Sequence, residues 1–366
     1  MDARLGSHHL DTHGWLRLLV AAVLVLALLL TLEATPAAVA STKACRITNT
    51  RTGQNYEALQ PAVDAAKPGG RLTVKGTCVG KTVIDKRLLI VGVTTRRFGP
   101  PKLTRYAKPL VLEVLPRGRV KLWDLVVLLG DSFDYSYPGI SNEGNLVLRD
   151  VVVRRNRPCS AGNHAVYNLF GGFLSMRGHS SVSRIRCDDP SVEEYNDLRI
   201  GGVFNDGTLV MHDASSIFDN RGRGLTNSGR VTMNDTSSIR ANRALDDVSG
   251  GVWNDERAVF TMNDASTISD NSGSYSGGVS NLGTFSMNDD SSIRGNRATL
   301  GSSGGFTNWG TLTMNDASSM VGNTAVASPG GLHNGLFNAS RGVLIGVNCG
   351  PGGNIYGNTP DDCYLE

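Results

Sequence analysis

The sequence predicts an all-β protein, a single parallel β-helix with a short N-terminal capping helix, preceded by a signal peptide. The main observation is a repeated unit, such as GGFTNWGTLTMNDASSMVGN from Gly304 to Asn323, whose Met recurs at positions 211, 233, 262, 287 and 314. A repeat of this length is one supersecondary unit stacked on its neighbours. Apolar residues alternate within each unit, as in Leu312 and Met314, and this period of two indicates strands. Abundant Gly (44 residues) and scarce aromatics (6%) suit short strands joined by tight turns.

The N-terminus carries an apolar run, Leu18 to Leu32, that follows Arg4 and Arg17. The run is shorter than the ~20 residues of a membrane span and suits the core of a signal peptide. Small residues at positions 38 and 40 favour cleavage after Ala40, which assigns residues 1–40 to a signal peptide and predicts a secreted protein. The alternative is an uncleaved anchor that holds the β-helix outside a membrane.

All cysteines of the chain follow the predicted cleavage point. They are Cys45, Cys78, Cys159, Cys187, Cys349 and Cys363. An even number in an exported chain predicts disulfides. Several connectivities are open, and we take pairing of sequence neighbours as the working hypothesis (45–78, 159–187, 349–363). None of the spacings is that of a zinc site, so no metal is predicted from them.

The remaining chain divides into four segments. We predict a linker over residues 41–55, a capping helix and first coils over 56–138, repeat coils over 139–348, and a disulfide-stapled cap over 349–366. In the helix, Leu59, Val63 and Ala66 share one face, and Pro68 ends it. Such a helix would cover the otherwise open edge of the first coil. Strand-like runs begin at Arg71, Lys81, Leu88, Leu110 and Arg119.

Stacked coils predict columns of equivalent residues. The expected interior columns are Leu209, Val231, Phe260, Phe285 and Leu312; the five Met; and Ile217, Ile239, Ile268, Ile293 and Met320. The expected side-chain amide ladders are Asn205, Asn227, Asn254, Asn281 and Asn308, continued less regularly by Asn334, and Asn220, Asn242, Asn271, Asn296 and Asn323. A buried Asn without partners would cost about 1–3 kcal/mol, so each column favours the same residue in every coil. The repetition therefore follows from the architecture and is no sign of catalysis.

The repeat also resembles a known family. Its Gly-Gly-Val, Gly-Gly-Phe and Gly-Gly-Leu steps and its Ile-x-x-Asn steps (217–220, 239–242, 268–271 and 293–296) are similar to motifs of polymorphic outer-membrane proteins, within the right-handed, pectate-lyase-like β-helix superfamily. The opening LQPAVDAAKPGGRLTVKGTC resembles the start of many secreted members of that superfamily. The resemblance covers about residues 56–358 and implies a right-handed coil. It implies no single function, because the superfamily holds lyases, hydrolases, epimerases, adhesins and inert scaffolds.

A carboxylate follows each repeated Met by two positions. These residues are Asp213, Asp235, Asp264, Asp289 and Asp316. Stacked at about 4.8 Å they would repel one another by about 1 kcal/mol per pair in water, which is tolerable without a counterion. One hypothesis is a ladder that binds a cation such as calcium; the other, which we favour, is a set of turn residues that bond backbone N–H groups. No other cofactor is predicted.

The period breaks once, between Asn168 and Asn205, and this irregular unit is the candidate catalytic site. Its candidate catalytic residues are His179, Arg184, Arg186, Asp188 and Asp189. Loops that depart from a regular scaffold carry function. Pectin-type hydrolases of the superfamily use Asp-Asp, Gly-His-Gly and Arg-x-Lys motifs in that order, whereas in this chain the order differs and the second Gly and the Lys are missing. A solvated loop held by Cys187 is the alternative.

Charge is distributed unevenly along the chain. Residues 41–157 contain 21 Lys plus Arg and 9 Asp plus Glu, a net charge of +12, whereas residues 158–366 contain 13 and 21, a net charge of −8. A basic end would be steered toward anionic polysaccharide or the cell envelope. Export argues against nucleic acid as a partner.

These observations favour a secreted, non-catalytic β-helix that presents an elongated surface for adhesion or for binding glycan at the cell envelope. The alternative is a polysaccharide lyase or glycoside hydrolase that acts on an acidic polysaccharide from the irregular unit. Contact with a membrane is expected only through the N-terminal segment, if it stays uncleaved.

Overall fold

Three long β-sheets, which we name A, B and C, form the faces of a right-handed parallel β-helix. The computed structural model describes residues 45–105, 110–130, 138–155, 164–186, 201–244, 249–301, 303–326, 336–338, 341–358 and 362–365. Each turn of the chain adds one strand to sheet A, one to sheet B and one to sheet C, and the described residues make eleven such coils. The predicted fold class is confirmed for this part of the chain.

Within the described residues, the strands of each sheet stack in a fixed order. Sheet A consists of Asn55–Tyr56, Arg46–Asn49, Gly70–Lys75, Arg87–Gly92, Arg119–Trp123, Asn145–Arg149, Phe173–Arg177, Thr208–Met211, Arg230–Met233, Val259–Met262, Thr284–Met287, Thr311–Met314 and Val343–Ile345. Sheet B consists of Thr77–Val79, Lys102–Thr104, Val126–Leu129, Val152–Arg155, Ser181–Ser183, Ser216–Phe218, Ser238–Arg240, Thr267–Ser269, Ser292–Arg294, Ser319–Val321 and Ile355–Tyr356. Sheet C consists of Thr82–Ile84, Leu112–Val114, Ile140–Asn142, Val166–Asn168, Gly201–Asn205, Arg223–Asn227, Val252–Asn254, Val279–Asn281, Phe306–Asn308, Leu336–Asn338 and Cys363–Leu365. A small parallel sheet of Ser272–Gly273, Arg297–Ala298 and Thr324–Ala325 follows sheet B in three coils.

The interior of the coil is built from the predicted columns. Leu209, Val231, Phe260, Phe285 and Leu312 are in register on sheet A, and so are the five Met. The column that begins at Ile217 is in register on sheet B. These side chains are at most 2% exposed, and Phe260 stacks on Phe285 with ring centroids 4.6 Å apart. The prediction of stacked interior columns is confirmed.

Both predicted asparagine ladders are present, and both are longer than predicted. In the first, each Nδ2 donates to the Oδ1 of the next residue at 2.7–2.8 Å, through Asn142, Asn168, Asn205, Asn227, Asn254, Asn281, Asn308 and Asn338. In the second the same bond is 2.9–3.0 Å long, through Asn220, Asn242, Asn271, Asn296, Asn323 and Asn358. Asn338 occupies the last described rung of the first ladder, and Asn334, which was expected there, lies outside the described residues.

The Gly-Gly and Ile-x-x-Asn motifs prove to be two halves of one corner. A Cβ on Gly251 would lie 2.4 Å from the carbonyl oxygen of Gly278, 3.0 Å from Nδ2 of Asn271 and 3.1 Å from Cγ2 of Ile268. The second Gly of the pair therefore leaves the space that the Ile and Asn of the same coil occupy. Substitution of this Gly would displace backbone, which cannot yield as a flexible side chain can.

The N-terminal end is capped by a helix and by two antiparallel strands. The helix Leu59–Ala65 buries Leu59, Ala62 and Val63 against the first coil, as predicted. Gln60 closes the edge of the first sheet C strand, because its Oε1 accepts from the N–H of Val83 at 2.7 Å and its Nε2 donates to the Val83 carbonyl at 3.3 Å.

The predicted linker over residues 41–55 differs from the structure from residue 46 onward. Arg46–Asn49 pairs antiparallel with Gly70–Lys75, and Asn55–Tyr56 pairs antiparallel with Arg46–Asn49. Only Ile47 supplies a fully buried apolar side chain to this short strand. One buried apolar residue is not enough to produce the alternating pattern by which a strand is predicted from sequence. The strand nevertheless covers the open edge of sheet A.

Two of the three expected disulfides are present. Cys45 bonds Cys78 with the Cα atoms 4.6 Å apart, and Cys349 bonds Cys363 with the Cα atoms 5.9 Å apart. The first joins the N-terminal cap to sheet B, and the second ties the last coil together. Cys159 and Cys187 lie outside the described residues, and their pairing stays a prediction.

Candidate functional site

The three candidate catalytic residues that the structure describes in the irregular unit, His179, Arg184 and Arg186, are not gathered at one point. His179 lies in the turn that precedes the strand Ser181–Ser183, and Arg184 and Arg186 follow that strand at its other end. The His179 ring is 87% exposed, and its Nδ1 lies 3.5 Å from Oδ1 of Asp150. Asp188 and Asp189 lie outside the described residues, so the structure does not place the two carboxylates that a hydrolase would use.

The two arginines of that unit share a carboxylate that the sequence did not point to. Nη2 of Arg186 donates to both oxygens of Asp219 at 2.5 and 2.7 Å, and Nε of Arg184 lies 3.8 Å from Oδ2 of Asp219. Arg184 itself has a φ of +56°, in a column of corner residues that continues through Asp219, Ala241 and Asp270. The geometry is that of an ion-paired corner of the coil.

The aspartate column, for which a cation ladder was one hypothesis, occupies a second corner with left-handed backbone. Its members have φ between +54° and +62° and are Asp124, Asp150, Gly178, Asp213, Asp235, Asp264, Asp289 and Asp316. Asp and Gly are the residues that tolerate this conformation best. One coil carries Gly178 in place of Asp, so what these eight positions share is the left-handed backbone, and seven of them also carry a carboxylate.

Each carboxylate in the repeat also has a backbone partner. Oδ2 of Asp235 accepts from the N–H of Asp213 at 2.9 Å, and Oδ2 of Asp264 accepts from the N–H of Asp235 at 2.8 Å. Asp289 and Asp316 repeat the contact at 2.9 and 3.2 Å. These bonds account for aspartate at this corner without a cation. Among the described residues, no group of three or more His, Cys, Asp or Glu is arranged to hold a metal ion.

One histidine that the sequence left without a role is deeply buried. His164 is 4% exposed, its Nε2 lies 3.2 Å from Oγ1 of Thr226, and its ring packs against Tyr167 and Phe204. Burial, and secondarily the positive charge of Arg223, lowers the pKa of His164 from 6.5 to about 3. The imidazole is therefore neutral at physiological pH and serves as a packed polar group.

The clearest candidate site is the outer face of sheet A, which sequence reasoning did not identify. No described strand of sheet A contains Asp or Glu. Nine Lys and Arg lie on these strands: Arg46, Arg71, Lys75, Arg87, Arg119, Lys121, Arg149, Arg177 and Arg230. Seven of them are among the 21 Lys and Arg counted over residues 41–157, and the described strands of this face carry no carboxylate to balance them.

Within this face, four coils form a groove of about 390 Å³. Its basic side chains are Arg87, Arg119 and Lys121, all exposed, and its floor includes the half-buried Leu89. Register places Arg87 beside Arg119 and Leu89 beside Lys121, with neighbouring strands about 4.8 Å apart. Among the described residues, no carboxylate lies within salt-bridge distance of these three cations.

Trp123 closes one side of the groove. It is half-buried, and the guanidinium carbon of Arg149 lies 5.7 Å from its ring centroid. An indole held against the sheet by a neighbouring arginine offers a rigid apolar surface beside the cations. The groove thus combines positive charges that are open to an external anion with one aromatic ring.

Comparison with family models, with curated proteins and with solved structures finds no match for this chain. The β-helix is established by its own stacked sheets and asparagine ladders. Among the described residues, no helix is both long enough and apolar enough to cross a membrane. Residues 1–40, where a signal peptide or an anchor was predicted, lie outside the described residues.

Proposed function

We propose that this protein is an exported, non-catalytic β-helix that binds anionic polysaccharide of the cell envelope through the basic groove on sheet A. The observation that carries the proposal is the set of three exposed cations, Arg87, Arg119 and Lys121, which have no carboxylate partner in the described chain. Arginine suits carboxylates because its planar fork donates two parallel hydrogen bonds.

The polymer is favoured over a small ligand by the shape of the site. The groove is an open channel along several coils, and two of its cations, Arg87 and Arg119, lie on neighbouring strands about 4.8 Å apart. A chain with regularly spaced negative charges fits such a series better than a single small anion does. The resemblance of the repeat to polymorphic outer-membrane proteins supports a role at the cell surface.

Binding to polygalacturonate, with neutral dextran as a comparison, tests the proposal. We expect the protein to bind polygalacturonate and not dextran, and to bind more weakly as salt rises, because exposed charges are screened. The double variant Arg119→Ala, Lys121→Ala should bind roughly tenfold more weakly, since each exposed ion pair contributes about 0.2–1 kcal/mol.

A matched control removes two exposed arginines from elsewhere on the rod, with Arg294→Ala and Arg297→Ala. It should bind polygalacturonate as the wild type does. Equal weakening by both double variants would show that net charge alone acts, and absence of binding by the wild type would refute the proposed function.

The alternative, a lyase or hydrolase at the irregular unit, predicts turnover. Incubation with a panel of uronic-acid polymers, with and without calcium, separates the two functions by the release of new chain ends. Turnover that is lost in Asp188→Ala, Asp189→Ala would establish the enzyme. N-terminal sequencing of the exported protein tests the localisation, because cleavage after Ala40 predicts a first residue of Ser41 and an uncleaved anchor does not.

A further inference from the structure

A second groove opens on sheet A one coil beyond the first. Its volume is about 360 Å³, and its walls include Phe170, Phe173, Arg230 and Arg257. The first groove reaches Asn145, which pairs in register with Phe173. The two grooves therefore meet at neighbouring strands.

The two grooves form one continuous surface along the edge of sheet A at which its strands begin, because the first residues of these strands are in register. The side chains on this edge are, in order, Arg87, Arg119, Asn145, Phe173, Thr208, Arg230 and Val259. Arg119 and Arg230 are four coils apart, which corresponds to about 19 Å along the axis. No Asp or Glu interrupts this column.

The side chains of the second groove match those of the first in chemistry. Phe170 stands at the tip of a turn and is 84% exposed, which is rare for so large an apolar side chain. Arg230 and Arg257 are exposed, and no carboxylate in the described chain lies within salt-bridge distance of either one. Asp206 is the one acidic side chain that lines the groove.

Glycines line the second groove where successive coils approach closely. A Cβ on Gly207 would lie 2.2 Å from the carbonyl oxygen of Gly172, and a Cβ on Gly229 would lie 2.2 Å from that of Gly207. These lining positions therefore carry no side chain, and the rest of the lining includes the ring of Phe170 and the guanidinium groups of Arg230 and Arg257. This is the combination of ring and cation that the first groove offers with Trp123.

We propose that the second groove is a second subsite for the same anionic polysaccharide, so that one polymer chain lies along the rod and contacts both grooves at once. This inference rests on the proposed function. Its consequence is a dependence on chain length, because the second contact becomes intramolecular once the first is made. An oligomer too short to span about 19 Å gains nothing from it.

Calorimetric titration with a dimer and a decamer of galacturonic acid tests the inference on the wild-type protein and on Arg230→Ala, Arg257→Ala. We expect the decamer to bind the wild type on the order of 100-fold more tightly than the dimer, as linked sites allow. The variant should lose at least tenfold in decamer affinity and keep its dimer affinity at the first groove. Arg294→Ala, Arg297→Ala, which removes the same charge elsewhere, should bind both oligomers as the wild type does.

Phe170→Ala supplies a variant that leaves the charge of the groove unchanged. Its side chain is exposed, so its loss should not alter folding, which circular dichroism checks. It should weaken the decamer and not the dimer. If the Arg230→Ala, Arg257→Ala variant binds the decamer as tightly as the wild type, the second subsite is wrong while the proposed function stands. If the wild type binds neither oligomer, or binds duplex DNA more tightly than the decamer, the proposed function itself fails.

Discussion

Removal of one buried amide from the first asparagine ladder should lower the free energy of unfolding far more than removal of a half-buried amide from a neighbouring ladder. Asn254 accepts from Nδ2 of Asn227 at 2.8 Å and donates to Oδ1 of Asn281 at 2.8 Å, and all three residues are 0% exposed. In Asn254→Ala, a buried donor and a buried acceptor lose these partners, at about 1–3 kcal/mol each. Nδ2 of Asn227 keeps a contact with the carbonyl of Val259 at 3.3 Å, which reduces its share of the cost. We therefore expect the free energy of unfolding to fall by about 3 kcal/mol in total.

Asn263→Ala is the matched control, since the same chemical change is made one strand further on. Asn263 is half-buried and forms a third ladder, in which its Nδ2 donates to Asn234 at 2.9 Å and its Oδ1 accepts from Asn288 at 2.8 Å. Water can replace these bonds, so the loss should stay below about 1 kcal/mol. Urea unfolding followed by circular dichroism measures both variants through the midpoint and slope. Equal losses in the two variants would refute the reasoning that burial gives the ladder its stabilising effect.

Gly251→Ala should destabilise the fold by about 1–3 kcal/mol in urea unfolding, because the new Cβ would lie 2.4 Å from the carbonyl oxygen of Gly278; an unchanged midpoint would contradict the close corner. Asp264→Val should lower the unfolding midpoint more than Asp264→Gly, because residue 264 has a φ of +54° that a β-branched residue resists; the reverse order would show that the carboxylate matters more than the backbone. Between pH 7 and pH 5, the free energy of unfolding of the wild type should fall by roughly 1–2 kcal/mol more than that of His164→Gln. The pKa of His164 is about 3 in the folded state and 6.5 when unfolded, so only the unfolded chain takes up a proton in this range. Equal dependence on pH in the two proteins would contradict this.

The repeat half of the fold could be predicted because each coil carries the same side chains at the same places. Alignment of the sequence with itself was enough to place Met211 and Met233 in one column, and Ile217 and Ile239 in another. The third amide ladder was missed, although Asn263 follows Met262 as regularly as Asp264 does. Its hydrogen bonds run in the opposite direction to those of the other two ladders, and its amides meet only because strand register brings them together.

The basic groove could not be predicted from the sequence, because the early coils have connections of unequal length. Arg87 and Arg119 are 32 positions apart, whereas Arg119 and Asn145 are 26 apart, and neither arginine lies in a repeated motif. The excess of positive charge before residue 158 was evident, but which of its cations lie side by side on sheet A depends on strand register. At the irregular unit, proximity in sequence suggested a common site that the structure does not show for His179 and Arg184. The strand Ser181–Ser183 lies between these two residues and places them at its opposite ends.

Covalent labelling of lysines in the presence of polygalacturonate tests most directly whether anionic polymer lies on sheet A. Lys121 is exposed in the groove, whereas Lys67 is exposed just beyond the capping helix, outside the groove lining, and serves as the internal reference. We expect the polymer to slow labelling of Lys121 at least several-fold and to leave Lys67 unchanged. Equal labelling of Lys121 with and without saturating polymer would contradict the assignment of this groove as the binding surface.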